Sequence, residues 1–180
     1  MRLRLSSLAL WAFVLGTAFI LGAGLYETLV VVPFWADDAP RSLLANNPLL
    51  RVQIRAGRFF WSSATPILGL LALAALLTSF GLPRRQMAWR LSATVLLLIT
   101  TMVTLLYFRP SVINMVVYHG AGQTGDALAS AARLWVSLNW LRIAAVAASL
   151  CLGLRTLVLP ASRRAPEPSL AVSPGLSLRE

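Results

Sequence analysis

The sequence predicts an all-α protein, a four-transmembrane-helix bundle with both termini on the cytoplasmic side, a long first outer loop and a disordered C-terminal tail. Three observations predict it. Of 180 residues 58% are hydrophobic and only 12% charged, which is too apolar for a surface held in water. The apolar residues gather into four long runs, separated by short stretches that hold most of the arginines and prolines. All 16 basic residues are Arg, and they flank these runs instead of forming one polar domain. A net charge of +10 therefore reads as lipid-headgroup contact and topology signal, and nucleic acid is excluded as a partner.

The first helix is expected over about residues 8–33. It follows the basic start Arg2-Leu3-Arg4, but its apolar run is longer than the roughly 7–15 residues of a signal-peptide core, so it reads as a span. Gly16, Gly22 and Gly24 are candidate points of close helix approach. The loop from Phe34 to Arg58 contains Asp37-Asp38 and Asn46-Asn47-Pro48, which should break any helix. The apolar and basic residues after it suit a short amphipathic helix on the membrane surface.

The second helix, about 59–82, opens on Phe59-Phe60-Trp61 and ends at Gly81-Leu82-Pro83, with a kink expected at Pro66. The third, about 91–108, ends at Arg109-Pro110; at about 1.5 Å per residue it just crosses a bilayer core of about 30 Å. The fourth, about 134–160, contains Asn139 and Arg142. Residues 1–160 thus form the transmembrane domain, and residues 161–180, rich in Pro, Ser and Ala, form the disordered tail. Nine arginines fall on the side of the termini and six on the other, the bias that sets the orientation. The expected location is a bacterial inner (plasma) membrane.

Ionisable residues inside spans are costly and mark functional sites by default. Glu27 lies about 9 Å below the outer end of the first helix and Arg142 about 12 Å below that of the fourth, so their depths match. Trp135, Asn139 and Arg142 are spaced i, i+4, i+7 and share one helix face. Glu27 is the only intramembrane acid available to neutralise Arg142. Two readings stand side by side: a site for chemistry, and a buried ion pair that only fixes helix packing. The apolar stretch after the third helix carries Asn114, Tyr118 and His119 to the outer mouth, where Tyr26 and Tyr107 also fall. His119 reads either as a base or as an interfacial residue bonded to a loop carbonyl.

The only cysteine, Cys151, excludes an intramolecular disulfide and CxxC chemistry. One His, one Cys and one intramembrane carboxylate are too few for a metal site, and phosphate loops and serine elbows are absent, so no metal and no cofactor is expected.

Three patches, Gly22-Ala-Gly-Leu-Tyr-Glu27 with Val30-Val-Val-Pro33, Asn114, and Trp135-x3-Asn139-x2-Arg142, resemble the anthrone oxygenase-like family of small four-helix membrane proteins. The resemblance covers about residues 8–158. It implies a cofactor-independent oxygenase of a lipophilic aromatic anthrone, with Glu27, His119 and Arg142 catalytic and Tyr26, Asn114, Trp135 and Asn139 holding substrate. Here the long basic first loop and the extra tail depart from the family pattern. The alternative is a non-enzymatic accessory subunit whose partners are the lipid bilayer, other membrane proteins or further copies of itself.

Overall fold

The computed structural model describes residues 2–45, 48–118 and 123–159. His119 and the expected disordered tail lie outside the described residues, as do Asn46 and Asn47. Among the described residues the chain is helical throughout. The order is α1 (Arg2–Tyr26), a π-helical turn (Glu27–Val31), α2 (Pro33–Ala36), α3 (Arg41–Leu44), α4 (Pro48–Leu77), α5 (Arg84–Val103), a second π-helical turn (Thr104–Phe108), α6 (Arg109–Val116) and α7 (Gly125–Val158).

Four continuous helical stretches are long and apolar enough to cross a membrane: Arg4–Ala36, Val52–Leu77, Arg84–Val116 and Gly125–Val158. They close a ring in which α1 and α5 each pack against both α4 and α7. Large apolar side chains such as Leu8, Phe19, Leu70 and Leu141 stand on the outside of the ring, as lipid-facing residues do.

Each span extends beyond its apolar run at one end or both, because polar residues continue a helix whose backbone has no reason to stop, although α4 ends at Leu77, short of the expected residue 82. The stretch after Asn46-Asn47-Pro48, expected as a separate surface helix, is the opening of α4, for which Pro48 is an acceptable first residue. α3 ends at an extended Ala45, ahead of this stretch. Pro66 lies inside α4 without ending it. The third span continues past Arg109-Pro110, since Pro110 takes an early position in α6 and no α-register donor is needed there. The last span begins at Gly125, capped by Thr124, whose hydroxyl accepts from the Ala127 N–H at 3.3 Å.

The two π turns share a cause. Each precedes a proline, Pro33 or Pro110, which lacks an N–H and whose ring would collide with the carbonyl four residues back, Leu29 or Leu106. The ladder widens instead, and the Val32 N–H donates to the Glu27 carbonyl at 2.8 Å, five residues away.

Close helix approach explains two of the three glycines of α1. A Cβ on Gly16 would stand 2.8 Å from Leu71 Cδ1, and one on Gly24 would stand 2.8 Å from Ile143 Cδ1. Gly22 meets nothing within 4 Å and lets no neighbour in, contrary to expectation. One apolar cluster, including Phe13, Leu68, Leu97 and Val146, fills the half of the bundle near the α4–α5 hairpin. Another, including Val32, Trp35, Leu43, Phe108, Leu128 and Trp135, fills the other half.

Candidate functional site

In this second half residues of all four spans line a half-open cavity of about 440 Å³. Its aromatic wall is Trp35, Phe60, Trp61, Phe108 and Trp135; its polar groups include Glu27, Gln53, Ser62 and Thr104, with Arg58, Arg109 and Arg142. Three arginines against one carboxylate give the wall an excess of positive charge. Both π turns contribute residues to it, Glu27 and Val31 from one, Thr104 and Phe108 from the other.

The face predicted from the i, i+4, i+7 spacing is real. Trp135 and Asn139 are buried, and Arg142 reaches the cavity. The Arg142 Nε–H donates to Asn139 Oδ1 at 2.9 Å, and the Asn139 amide donates through Nδ2 to Thr28 Oγ1 at 2.7 Å. Thr28 then donates to the Gly24 carbonyl at 2.7 Å. This relay ties α7 to the first span and fixes the Asn139 amide with its oxygen toward the arginine. The guanidinium lies 5.5 Å from the Trp61 ring centroid and 5.2 Å from that of Phe108, within cation–π range of both. Trp135 is locked behind it: its indole N–H donates to the Phe108 carbonyl at 3.2 Å, and its ring meets Trp35 edge-on at 5.2 Å.

Glu27 and Arg142 line the same cavity and interact through their charges, with the Trp61 indole also in reach of the carboxylate. The expected pair is thus a charge interaction, with no direct bond between the two side chains among the described residues. Among the described residues the direct polar link between the first span and α7 is the Thr28–Asn139 bond. The reason is local: the widened turn beginning at Glu27 places Thr28, one residue on, against α7.

Of the other expected site residues, Tyr26 lines the cavity although its ring is 63% exposed. Asn114 is exposed on α6 and does not line the cavity. Tyr107 packs edge-on against Phe108 and Tyr118 is exposed, both outside the lining. Among the described residues no three His, Cys, Asp or Glu side chains come together as a metal-holding group. Sequence reasoning missed Thr28, Trp61 and Phe108. Trp61 carried a signal as an aromatic near Arg142 in depth, but Thr28 and Phe108 carried none.

Another arginine was read only as a topology signal. Arg90 is 2% exposed, with Nη1 donating to Ser6 Oγ at 2.7 Å and Nη2 to the Ser6 carbonyl at 2.8 Å and Thr78 Oγ1 at 2.7 Å. It knits α5 to α1 and the end of α4 at the opposite end of the bundle. No family model, curated protein or solved structure matches the chain.

Proposed function

We propose that the cavity binds a lipophilic aromatic molecule that carries, or develops, negative charge on an oxygen, and that the protein oxygenates it without a cofactor. The observation that carries this reading is the Arg142 guanidinium, held by one bond to Asn139 and two aromatic faces, with its remaining N–H donors available to a ligand in the cavity. A flat aromatic ligand fits walls made of indole and phenyl rings. The resemblance to anthrone oxygenase-like proteins supports the same class of substrate.

The chemistry needs a base, a cation and a dry volume. Glu27 takes a C–H proton from the anthrone, and the resulting enolate oxygen rests on Arg142. The carbanion carbon forms a C–O bond to dioxygen, and the peroxide takes up the proton. Loss of the second C–H proton with cleavage of O–O then yields the quinone and one water. With both termini in the cytoplasm, the orientation the arginine bias favours, this site would lie in the outer half of the membrane.

The test uses the full chain in lipid nanodiscs. Anaerobic titration with 1,8-dihydroxyanthrone is expected to quench tryptophan emission saturably, and admission of oxygen to produce quinone faster than empty nanodiscs do. Arg142→Leu, shown by circular dichroism to keep its helices, should weaken binding at least ten-fold; Glu27→Gln should bind and turn over slowly. Unchanged binding or turnover in a folded Arg142→Leu protein would refute the proposal.

A further inference from the structure

A second void adjoins the first. A groove of about 300 Å³ runs between α1 and α4, walled by residues including Gly16, Phe19, Phe60, Ala64, Ile67 and Leu71. Its one hydroxyl, Ser63, turns back on its own helix and donates to the Phe59 carbonyl at 3.3 Å. The groove therefore offers a ligand nothing but hydrocarbon surface. Phe19, Phe59 and Ile67 at its rim are exposed, so it opens sideways toward lipid.

Phe60 is the shared wall: it lines both voids. Its ring meets Phe19 at 6.0 Å on one side and Trp61 edge-on at 4.9 Å on the other, and Trp61 in turn lies under Arg142. Phe60 thus forms part of the wall of both the head cavity and the apolar groove. From Phe59 to Leu71 the groove follows about 18 Å of the α4 axis. A short ring substituent would leave most of that length unused.

We infer that the ligand is an amphiphile, an acidic aromatic head carrying one long alkyl or isoprenoid tail, with the head on Arg142 and the tail passing Phe60 into the α1/α4 groove. This inference rests on the aromatic-oxyanion reading of the head cavity and adds the tail. The occupant is the tail of the ligand itself, since the groove abuts the charged cavity and a bilayer lipid would have no reason to end there. Access is lateral: the molecule enters from the membrane through the α1/α4 face.

The test compares two probes on the full chain in nanodiscs, 2-hydroxy-1,4-naphthoquinone and its 3-undecyl derivative bearing a diazirine at the tail end. The untailed head should quench tryptophan emission. After irradiation the tailed probe should label residues 59–71 of α4 and 16–20 of α1, and an excess of the untailed head should remove at least four-fifths of that label. Labelling of the lipid-facing side of α7 should not respond to the competitor. Ser63→Phe, which fills the groove from an exposed position outside the head cavity, should keep quenching by the untailed head and lose the label. Head binding with uniform or uncompeted labelling, or with label unchanged in Ser63→Phe, would overturn the tail and leave the head site standing. Failure of the untailed head to bind would overturn both.

Discussion

Replacing Thr28 with Val removes one oxygen from the relay that positions Arg142 while keeping the shape of the side chain. The Asn139 amide is fully buried, so its Nδ2–H donor toward Thr28 is left without a partner. An unmade bond at a buried donor costs about 1–3 kcal/mol, and interhelical bonds measured inside membranes average about 0.6 with a maximum near 1.7. The expected loss is therefore about 1–2 kcal/mol. Asn139→Leu removes both this bond and the one from Arg142 Nε and should cost more. In the double variant the Thr28–Asn139 bond is lost only once, so the two effects should fall short of additivity by about 1 kcal/mol, a factor of about five in the equilibrium. Reversible unfolding in mixed micelles with increasing sodium dodecyl sulfate, followed by circular dichroism, reads all four corners of the cycle. Additivity within about 0.3 kcal/mol would refute the relay. Thr28 does not line the cavity, so weaker ligand binding in Thr28→Val would have to pass through Asn139 to the guanidinium.

The same titration checks the packing of α1 on α7. A Cβ on Gly153 would stand 3.0 Å from Phe13 Cε1 and 3.1 Å from Val14 Cγ2, and Phe13 is fully buried, so Gly153→Ala should cost about 1–3 kcal/mol. Gly24→Ala meets only the terminal methyl of one side chain, Ile143, and should cost less; the reverse order would contradict this account. At the other end, Ser6→Ala deprives the buried Arg90 of one acceptor and should cost about 1–3 kcal/mol, with a smaller effect in an Arg90→Met background. Equal effects in both backgrounds would show that the bond contributes nothing.

The four spans were legible because an apolar run of this length has few alternatives, and the shared face of Trp135, Asn139 and Arg142 because helical spacing is rigid. Helix ends were not. Residues 49–58 are basic enough to read as a separate surface helix and 125–133 polar enough to read as loop, yet both continue spanning helices whose hydrogen bonds are internal and do not depend on lipid. The π turns needed Pro33 and Pro110 to be read as ladder disturbances inside long helices instead of stops. Thr28 was illegible for a different reason: a threonine in a span usually bonds its own helix, as Thr17 does to the Phe13 carbonyl at 2.7 Å. Thr28 does this too, and only the fold shows that its oxygen also accepts from α7.

Arg90 and Arg142 separate structure from function more sharply than either does alone. Both are arginines within helices long enough to cross a membrane, and neither makes a direct bond to a carboxylate among the described residues. Arg90 directs both terminal nitrogens to Ser6 and Thr78 oxygens and lines neither the head cavity nor the apolar groove. Its Nε is buried without a hydrogen-bond partner among the described residues, so its terminal nitrogens carry the whole of its bonding. Arg142 gives the protein only its Nε–H, is oriented by Asn139, and is flanked by two rings that cannot accept a conventional bond in the plane of the guanidinium. Arg142 shares the cavity wall with the charge of Glu27, and a charged pair inside an apolar bundle costs desolvation that a leucine filling the same space would not. In the proposed reading an anionic or oxyanion-forming ligand accepts from the terminal N–H groups of Arg142, and the amphiphile is assigned to this arginine because it lines the cavity, as Arg90 does not.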